Sequence, residues 1–161
     1  MEKILISACL AGDRVRYDGR IVPLESLLLA RWKEEGRLVK VCPEVAGGMT
    51  IPRPPAQITG GSGLDVLRRK ARVMDNEGVD VTGFFIRGAE YALSMAQRFG
   101  VRLAVLKEKS PSCGVRWIYD GNFTSTLIPG EGVTAALLRE HDVLIFSEQE
   151  LDMVEGILRL E

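Results

Sequence analysis

Residues 101–121 read VRLAVLKEKSPSCGVRWIYDG, an apolar run that changes abruptly into a polar turn. The run at 101–106 predicts a short buried strand. Pro111 fixes φ and carries no N–H, and Gly114 permits a close approach of the backbone, so the chain has to turn sharply after this strand. We therefore expect Cys113 to be presented on a loop.

The two other cysteines of the chain stand in the same context. Cys9 follows the apolar run at 4–8, and Cys42 follows LVKV at 38–41; each begins a turn that contains Gly or Pro. If the preceding strands are parallel neighbours, all three thiols emerge at the carboxyl edge of one sheet, where open α/β folds build their ligand sites. The sequence therefore predicts a shared site made of Cys9, Cys42 and Cys113.

Strand-like and helix-like segments alternate along the rest of the chain, which favours parallel strands joined by right-handed crossovers. We predict a single three-layer α/β domain over residues 1–161, in which helices flank a mostly parallel sheet of the Rossmann-like or flavodoxin-like kind, plus a small β-hairpin. The expected strands lie at 3–8, 38–41, 101–106 and 143–146, and the expected helices at 23–35, 83–99, 132–140 and 148–160.

Three segments have a weaker periodicity. Residues 47–63 are rich in Pro and Gly and predict a loop that serves as a binding wall or lid. Residues 64–75 predict a short strand or a hairpin arm. The hairpin is expected to pair 117–119 with 123–127, because Asp120 and Gly121 supply the turn residues that such connections need.

Bulk properties exclude several classes of protein. The formal net charge is −1 over 161 residues, so nothing in it favours a nucleic-acid partner. A secretory signal and an 18-residue apolar stretch are both absent from the sequence, which predicts a cytoplasmic protein without a membrane partner. An odd number of cysteines argues against a disulfide framework. The basic residues Arg68, Arg69, Lys70 and Arg72 are expected to form an exposed hairpin edge.

The cysteine spacing leaves three kinds of site open. The cysteines are 33 residues apart (9 to 42) and 71 apart (42 to 113), without the C-x-x-C pairs of a structural zinc finger. Three thiolates with an open fourth position suit an iron–sulfur cluster that binds substrate, or a zinc hydrolase with a bound water. In the third alternative the cysteines are core residues of a non-catalytic module that binds small molecules.

Polar residues beside the cysteines are the candidates for catalysis. Glu44 lies two residues after Cys42 and could act as a general acid or base. Ser110 and Ser112 flank Pro111, where they could hydrogen-bond a ligand or brace the turn. His141, the one histidine, lies at the end of a predicted helix and is expected to interact with the helix dipole.

Several motifs together resemble a known family. They are ISACLAG at 6–12, RYDG at 16–19, CPEVAGGMTIPRPP at 42–55, GVDVTGFFIRGA at 78–89, LKEKSPSCG at 106–114 and GEGVTAALLRE at 130–140. In this combination they are similar to the thiouracil desulfidase family, long catalogued as a domain of unknown function. The resemblance covers essentially the whole chain.

The resemblance implies a [4Fe-4S] cluster held by Cys9, Cys42 and Cys113, with Glu44 and Ser110 assisting the reaction. It implies an enzyme that desulfurates a small thiolated heterocycle such as thiouracil, without redox chemistry, and releases hydrosulfide. The oligomeric state stays open, with a homodimer as one option.

The sequence departs from the pattern of this family at three positions. Val15 stands where many members have a further cysteine, Gln57 where a glutamate is common, and His141 where a glycine is common. These departures leave the three cysteines intact and bear on the identity of the substrate.

Overall fold

The computed structural model describes residues 1–160, in which strands and helices alternate. The strands are β1 (Ile4–Ser7), β2 (Leu38–Val41), β3 (Ala56–Thr59), β4 (Arg72–Asp75), β5 (Leu103–Leu106), β6 (Trp117–Tyr119), β7 (Leu127–Pro129) and β8 (Leu144–Ser147). The helices are α1 (Leu27–Glu34), α2 (Pro43–Ala46), α3 (Gly63–Leu67), α4 (Thr82–Arg98), α5 (Val133–Glu140) and α6 (Leu151–Leu158).

Four of the strands form one parallel sheet in the order β2-β1-β5-β8. β1 pairs with β2 on one side and β5 on the other, and β8 completes the sheet beside β5. β1 and β5 are buried along their whole length, as expected for strands of a parallel sheet covered on both faces. The predicted α/β architecture with a mostly parallel sheet is confirmed.

Helices cover both faces of this sheet. Leu5 points into a core that α4 and α5 complete, whereas Ile4 and Ile6 point into a second core built with Trp32 of α1 and Val154 of α6. This alternation follows from the two-residue period of side chains along a strand. The result is the three-layer arrangement that the sequence predicts.

Two antiparallel hairpins stand outside the parallel sheet, one made by β3 and β4 and the other by β6 and β7. A third core joins them to the rest of the molecule through Ile58, Val73, Phe85 and Ile118. The segment 47–63, predicted to be a loop, therefore contains a strand, and 64–75 contains a helical turn before its strand. The second arm of the later hairpin begins at Leu127, four residues after its predicted start.

The helix bounds also differ from the sequence predictions. α1 begins at Leu27 because the hydroxyl of Ser26 caps it by accepting a hydrogen bond from the Leu29 N–H at 3.3 Å. Pro23 lies outside this helix. Among residues 1–160, none of the helices combines the length and the apolar character that crossing a membrane would require.

Candidate active site

The carboxyl edge of the parallel sheet opens into a cavity of about 550 Å³. All three cysteines line it, as do Glu44 and Ser110. These side chains come from segments that follow β1, β2 and β5, three adjacent strands of the sheet. The structure therefore brings together the residues that the sequence placed at one edge. We call the side of the cavity formed by Cys9, Cys42 and Cys113 the thiol wall.

Cys9 is held by a run of tight turns after β1. Backbone hydrogen bonds join the N–H of Leu10 to Ser7, of Ala11 to Ala8 and of Gly12 to Cys9 itself, with N···O distances of 3.0 to 3.2 Å. Because each of these bonds closes a turn, the chain coils on itself directly beyond the strand. The coil places the half-buried Cys9 beside the cavity.

Cys42 and Glu44 are positioned by the short helix α2. Cys42 is the residue before the helix, Pro43 opens it with its fixed φ, and Glu44 lies in its first turn. α2 packs so closely on α4 that a Cβ at Gly88 would stand 1.9 Å from the Pro43 carbonyl oxygen. Only glycine at position 88 allows this approach, which fixes the depth at which Glu44 enters the cavity.

The loop that carries Cys113 is braced by a buried carboxylate. Glu108 is 6% exposed, and its Oε1 accepts hydrogen bonds from the backbone N–H groups of Val115, Arg116 and Trp117 at 2.7 to 3.1 Å. Such a cradle ties the end of the loop back to its start. Sequence reasoning missed Glu108, because a charged residue after a strand more often solvates a surface.

Ser110 and Ser112 have different places in this loop. Ser110 lines the cavity, and its Oγ accepts hydrogen bonds from the N–H groups of Ser112 and Cys113, both at 3.0 Å. Ser112 is fully buried and shares a hydrogen bond of 2.9 Å with the Thr134 hydroxyl, and it is not among the residues that line the cavity. Of the two roles that the sequence left open for Ser112, the structure favours bracing the turn.

Glu44 forms an ion pair with Arg53 inside the cavity wall. Arg53 Nη2 donates to Glu44 Oε2 at 3.3 Å and to the Val15 carbonyl at 2.8 Å, while Nη1 donates to the Thr50 carbonyl at 3.1 Å. The Arg53 side chain is 2% exposed. Its Nε is buried and has no hydrogen-bond partner among residues 1–160.

Burial has the largest effect on the pKa values of the cysteines and of Glu44 in this site. It raises the pKa of Cys9 to about 11, and the neighbouring Cys42 thiol acts in the same direction. It also raises the pKa of Cys42 and Cys113 above the ordinary value for a thiol. Protonated thiols are poor nucleophiles, so these cysteines do not fit the role of a reactive nucleophile. Burial likewise raises the pKa of Glu44, against the opposing charge of Arg53.

Another part of the lining comes from the segment 47–63, for which the sequence predicts a binding wall or lid, and from the later hairpin, for which it predicts no place in the site. Gln57 of β3, Tyr119 of β6 and Phe123 of the loop 120–126 line the cavity here, and we call these three residues the hairpin wall. Tyr17 of the loop after β1 adds another ring to the lining. Aromatic faces and an amide are the groups that bind a flat polar heterocycle by stacking and hydrogen bonding.

The remaining sequence candidates lie elsewhere. His141 ends α5, where its ring Nδ1 lies 3.0 Å from the Leu137 carbonyl oxygen, in keeping with the predicted helix-end position. The basic residues Arg68, Arg69, Lys70 and Arg72 are exposed around the end of α3 and the start of β4. None of these five residues is part of the cavity lining.

The donor set fits an iron–sulfur cluster. Three soft thiol ligands line one cavity, and the Arg53 guanidinium in its wall carries a positive charge that suits an anionic group. Within residues 1–160, no three His, Cys, Asp or Glu side chains are grouped closely enough to hold a single metal ion.

Comparisons with known proteins agree with this reading of the donor set. Residues 4–150 match the family model described as 2-thiouracil desulfurase. An uncharacterized protein, YbbK of Bacillus subtilis (strain 168), is 42% identical over 149 residues, which make up 92% of this chain and 97% of YbbK. A solved structure described as the [4Fe-4S]-dependent thiouracil desulfidase TudS has a TM-score of 0.92 and 45% identity, with 100% of both chains covered.

Proposed function

We propose, since the chain belongs to the 2-thiouracil desulfurase family, that it is an enzyme that removes sulfur from a small thiolated heterocycle such as thiouracil. The reaction exchanges atoms without redox change: the oxygen of water bonds to the ring carbon, the carbon–sulfur bond breaks, and hydrosulfide leaves. The observation that carries this proposal is the meeting of three thiols and a paired carboxylate in one cavity.

Cys9, Cys42 and Cys113 would hold the [4Fe-4S] cluster. When bound, such a cluster supplies a Lewis-acidic iron without a protein ligand, which can take the sulfur of the substrate. The segments of the thiol wall prepare this site in advance. The turns after β1 fix Cys9, α2 fixes Cys42, and the carboxylate of Glu108 fixes the loop of Cys113.

Glu44 is the proton-transfer group in this proposal. Arg53 holds Oε2 of its carboxylate, and this is the hydrogen bond that the side chain makes within residues 1–160. Oε1 is therefore left to accept a proton from the attacking water and to return one to the ring or the leaving group. Arg53 acts as a positioning residue, because it orients the carboxylate without contacting the reacting atoms in this scheme.

Ser110 is the second contact that we assign to the substrate. Its Oγ already accepts two backbone hydrogen bonds, so the hydroxyl hydrogen is the part that can bond to a ligand. A donor at this place can hold an electronegative atom of the heterocycle.

We further propose that residues 1–161 act as one desulfidase-like domain and that the enzyme works in the cytoplasm.

The variant Glu44→Gln tests the proposal. The change keeps the shape of the side chain and removes its ability to take a proton, so release of hydrosulfide from 2-thiouracil should fall by at least about 100-fold. Iron and acid-labile sulfide, measured after anaerobic reconstitution, should equal those of the wild type. Glu90→Gln, at an exposed position of α4, is the matched control and should keep full turnover. Full turnover in Glu44→Gln would refute the role of this carboxylate.

A further inference from the structure

The side chain of Gln57 makes two hydrogen bonds, and both end on the same atom. Its Oε1 accepts from the N–H of Gly121 at 3.0 Å and from the N–H of Phe123 at 3.2 Å. Both donors belong to the loop 120–126, which joins β6 to β7. Gln57 therefore fastens this loop to β3 and helps to keep the Phe123 ring in the cavity lining.

These contacts also determine the orientation of the Gln57 side-chain amide. Because backbone N–H groups can only donate, the atom that faces them has to be the oxygen, and the amide nitrogen has to face another direction. These two are the hydrogen bonds of the Gln57 side chain within residues 1–160, and the residue lines the cavity. The fold thus presents Nε2 as an oriented donor whose acceptor a ligand can supply.

We propose that Gln57 is a specificity-determining residue, whose Nε2 donates a hydrogen bond to a ring carbonyl of the heterocycle bound in the cavity. The inference rests on the proposed function, because it takes the ligand to be a thiolated heterocycle. It narrows the class of substrate to rings that carry a carbonyl oxygen in addition to the sulfur.

The chemistry of the side chain supports glutamine over glutamate in this role. A glutamate at position 57 would keep an oxygen for the N–H groups of Gly121 and Phe123 and so would preserve the loop. Its other oxygen would replace the donor by an ionised acceptor, which repels a carbonyl oxygen. A site built to hydrogen-bond a substrate group discriminates against ligands that do not match it, because a buried polar group is left unpaired.

The test compares two ligands that differ in this carbonyl. Binding of 2-thiouracil and of pyrimidine-2-thione, which lacks the ring carbonyl, is measured by anaerobic calorimetry on cluster-loaded protein. Glu44→Gln is added to both the wild-type and the Gln57→Glu proteins, so that 2-thiouracil is not consumed during the titration. The wild type should bind 2-thiouracil about tenfold more tightly, the worth of one good hydrogen bond. In Gln57→Glu this preference should disappear. The ratio cancels any loss of affinity that the two ligands share.

Two controls separate specificity from folding. Gln97→Glu makes the same chemical change at an exposed position near the end of α4, outside the cavity lining, and should keep the tenfold preference. Thermal unfolding and iron content of Gln57→Glu should match the wild type, because both loop hydrogen bonds are retained.

The outcomes distinguish the inference from the proposed function. An unchanged preference in Gln57→Glu, or none in the wild type, would overturn the role of Gln57 while release of hydrosulfide from 2-thiouracil continued. If the wild type neither binds these ligands nor releases hydrosulfide, the proposed function fails together with the inference.

Discussion

The two walls of the cavity are built by different means. The thiol wall follows directly from the parallel sheet, since each cysteine lies in the segment after β1, β2 or β5. Backbone turns hold Cys9, α2 positions Cys42, and the Glu108 carboxylate braces the loop of Cys113. The hairpin wall depends on contacts between distant segments, such as the hydrogen bonds that Gln57 accepts from the loop 120–126.

The two walls also suit different functions, one holding the cluster and the other selecting the substrate. A wall fixed by the central sheet suits a group that has to be held rigidly, and a cluster with three ligands is such a group. A wall made of loops and hairpin residues can change its side chains without disturbing the sheet, which suits the choice of substrate. The account predicts that variants of the thiol wall affect folding and iron content, whereas variants of the hairpin wall affect KM.

The largest effect on stability is expected for Glu108→Gln, because Glu108 braces the loop that brings Cys113 to the thiol wall. The buried carboxylate accepts hydrogen bonds from several backbone N–H groups. The substitution replaces it with a neutral amide, whose oxygen is a weaker acceptor. The free energy of unfolding, measured in urea, should fall by about 2 kcal/mol. Hydrogen exchange should speed up at the amides of Val115 and Trp117.

The control for this prediction is Glu34→Gln, at an exposed position of α1. It should change the free energy of unfolding by less than about 0.5 kcal/mol. If Glu108→Gln were equally harmless, the carboxylate would not be what holds the Cys113 loop.

Phe123→Ala in the hairpin wall is expected to have a smaller effect, which concerns substrate binding and not stability. Removing the ring takes away a stacking surface for the heterocycle, so KM for 2-thiouracil should rise about tenfold, with kcat changed by less than about twofold. Iron content should stay at the wild-type level. Steady-state kinetics and iron analysis together test this prediction. A loss of iron in Phe123→Ala would contradict the view that the hairpin wall contributes to substrate binding and not to the cluster site.

The smallest effect concerns a region remote from both walls, where α6 packs on α1. Burial raises the pKa of Glu155, but the hydrogen bond that Trp32 Nε1 donates to it at 3.0 Å and the charges of Arg31 and Arg159 outweigh burial, so its pKa lies below the ordinary value. A lowered pKa stabilises the fold at a pH above the ordinary value of about 4.3, and this contribution is lost as pH falls through the folded-state pKa.

The matching variant is Glu155→Gln, followed by urea unfolding at pH 7, 5, 4 and 3. Its stability should depend less on pH in the acidic range than that of the wild type, by no more than about 1 kcal/mol, because the arginines are exposed. KM for 2-thiouracil should not change. An equal pH dependence in the two proteins would mean that the interactions of Glu155 contribute nothing measurable.

The thiol wall could be predicted from the sequence because its signals are local. Each apolar run is short, contains β-branched or leucine residues and is followed by a turn that contains Pro or Gly, and adjacent parallel strands bring such turns to one edge. The resemblance to a known family then selected the [4Fe-4S] cluster among the three alternatives and assigned Glu44 and Ser110 to the reaction.

The sequence predicts that the segment 47–63 forms a binding wall, but it does not identify Gln57, Tyr119 and Phe123 as the lining, because the signals for these positions are not local. β3 reads AQIT, with a single fully buried residue, Ile58, and three prolines and several glycines surround it. Asp120 and Gly121 indicated a tight turn, yet Phe123 and Ser125 adopt a left-handed backbone with φ near +57° and +59°. That conformation widens the loop over β3, and it depends on tertiary contacts that the sequence pattern does not reveal.

The most direct test of the central claim is the metal content of the thiol wall. Wild type, Cys9→Ala, Cys42→Ala and Cys113→Ala are purified anaerobically and reconstituted with iron and sulfide, and iron, zinc and acid-labile sulfide are then measured. We expect about four irons and four sulfides per wild-type chain and a loss of both in each variant. Zinc without sulfide in the wild type, or a cluster that survives all three substitutions, would contradict this expectation.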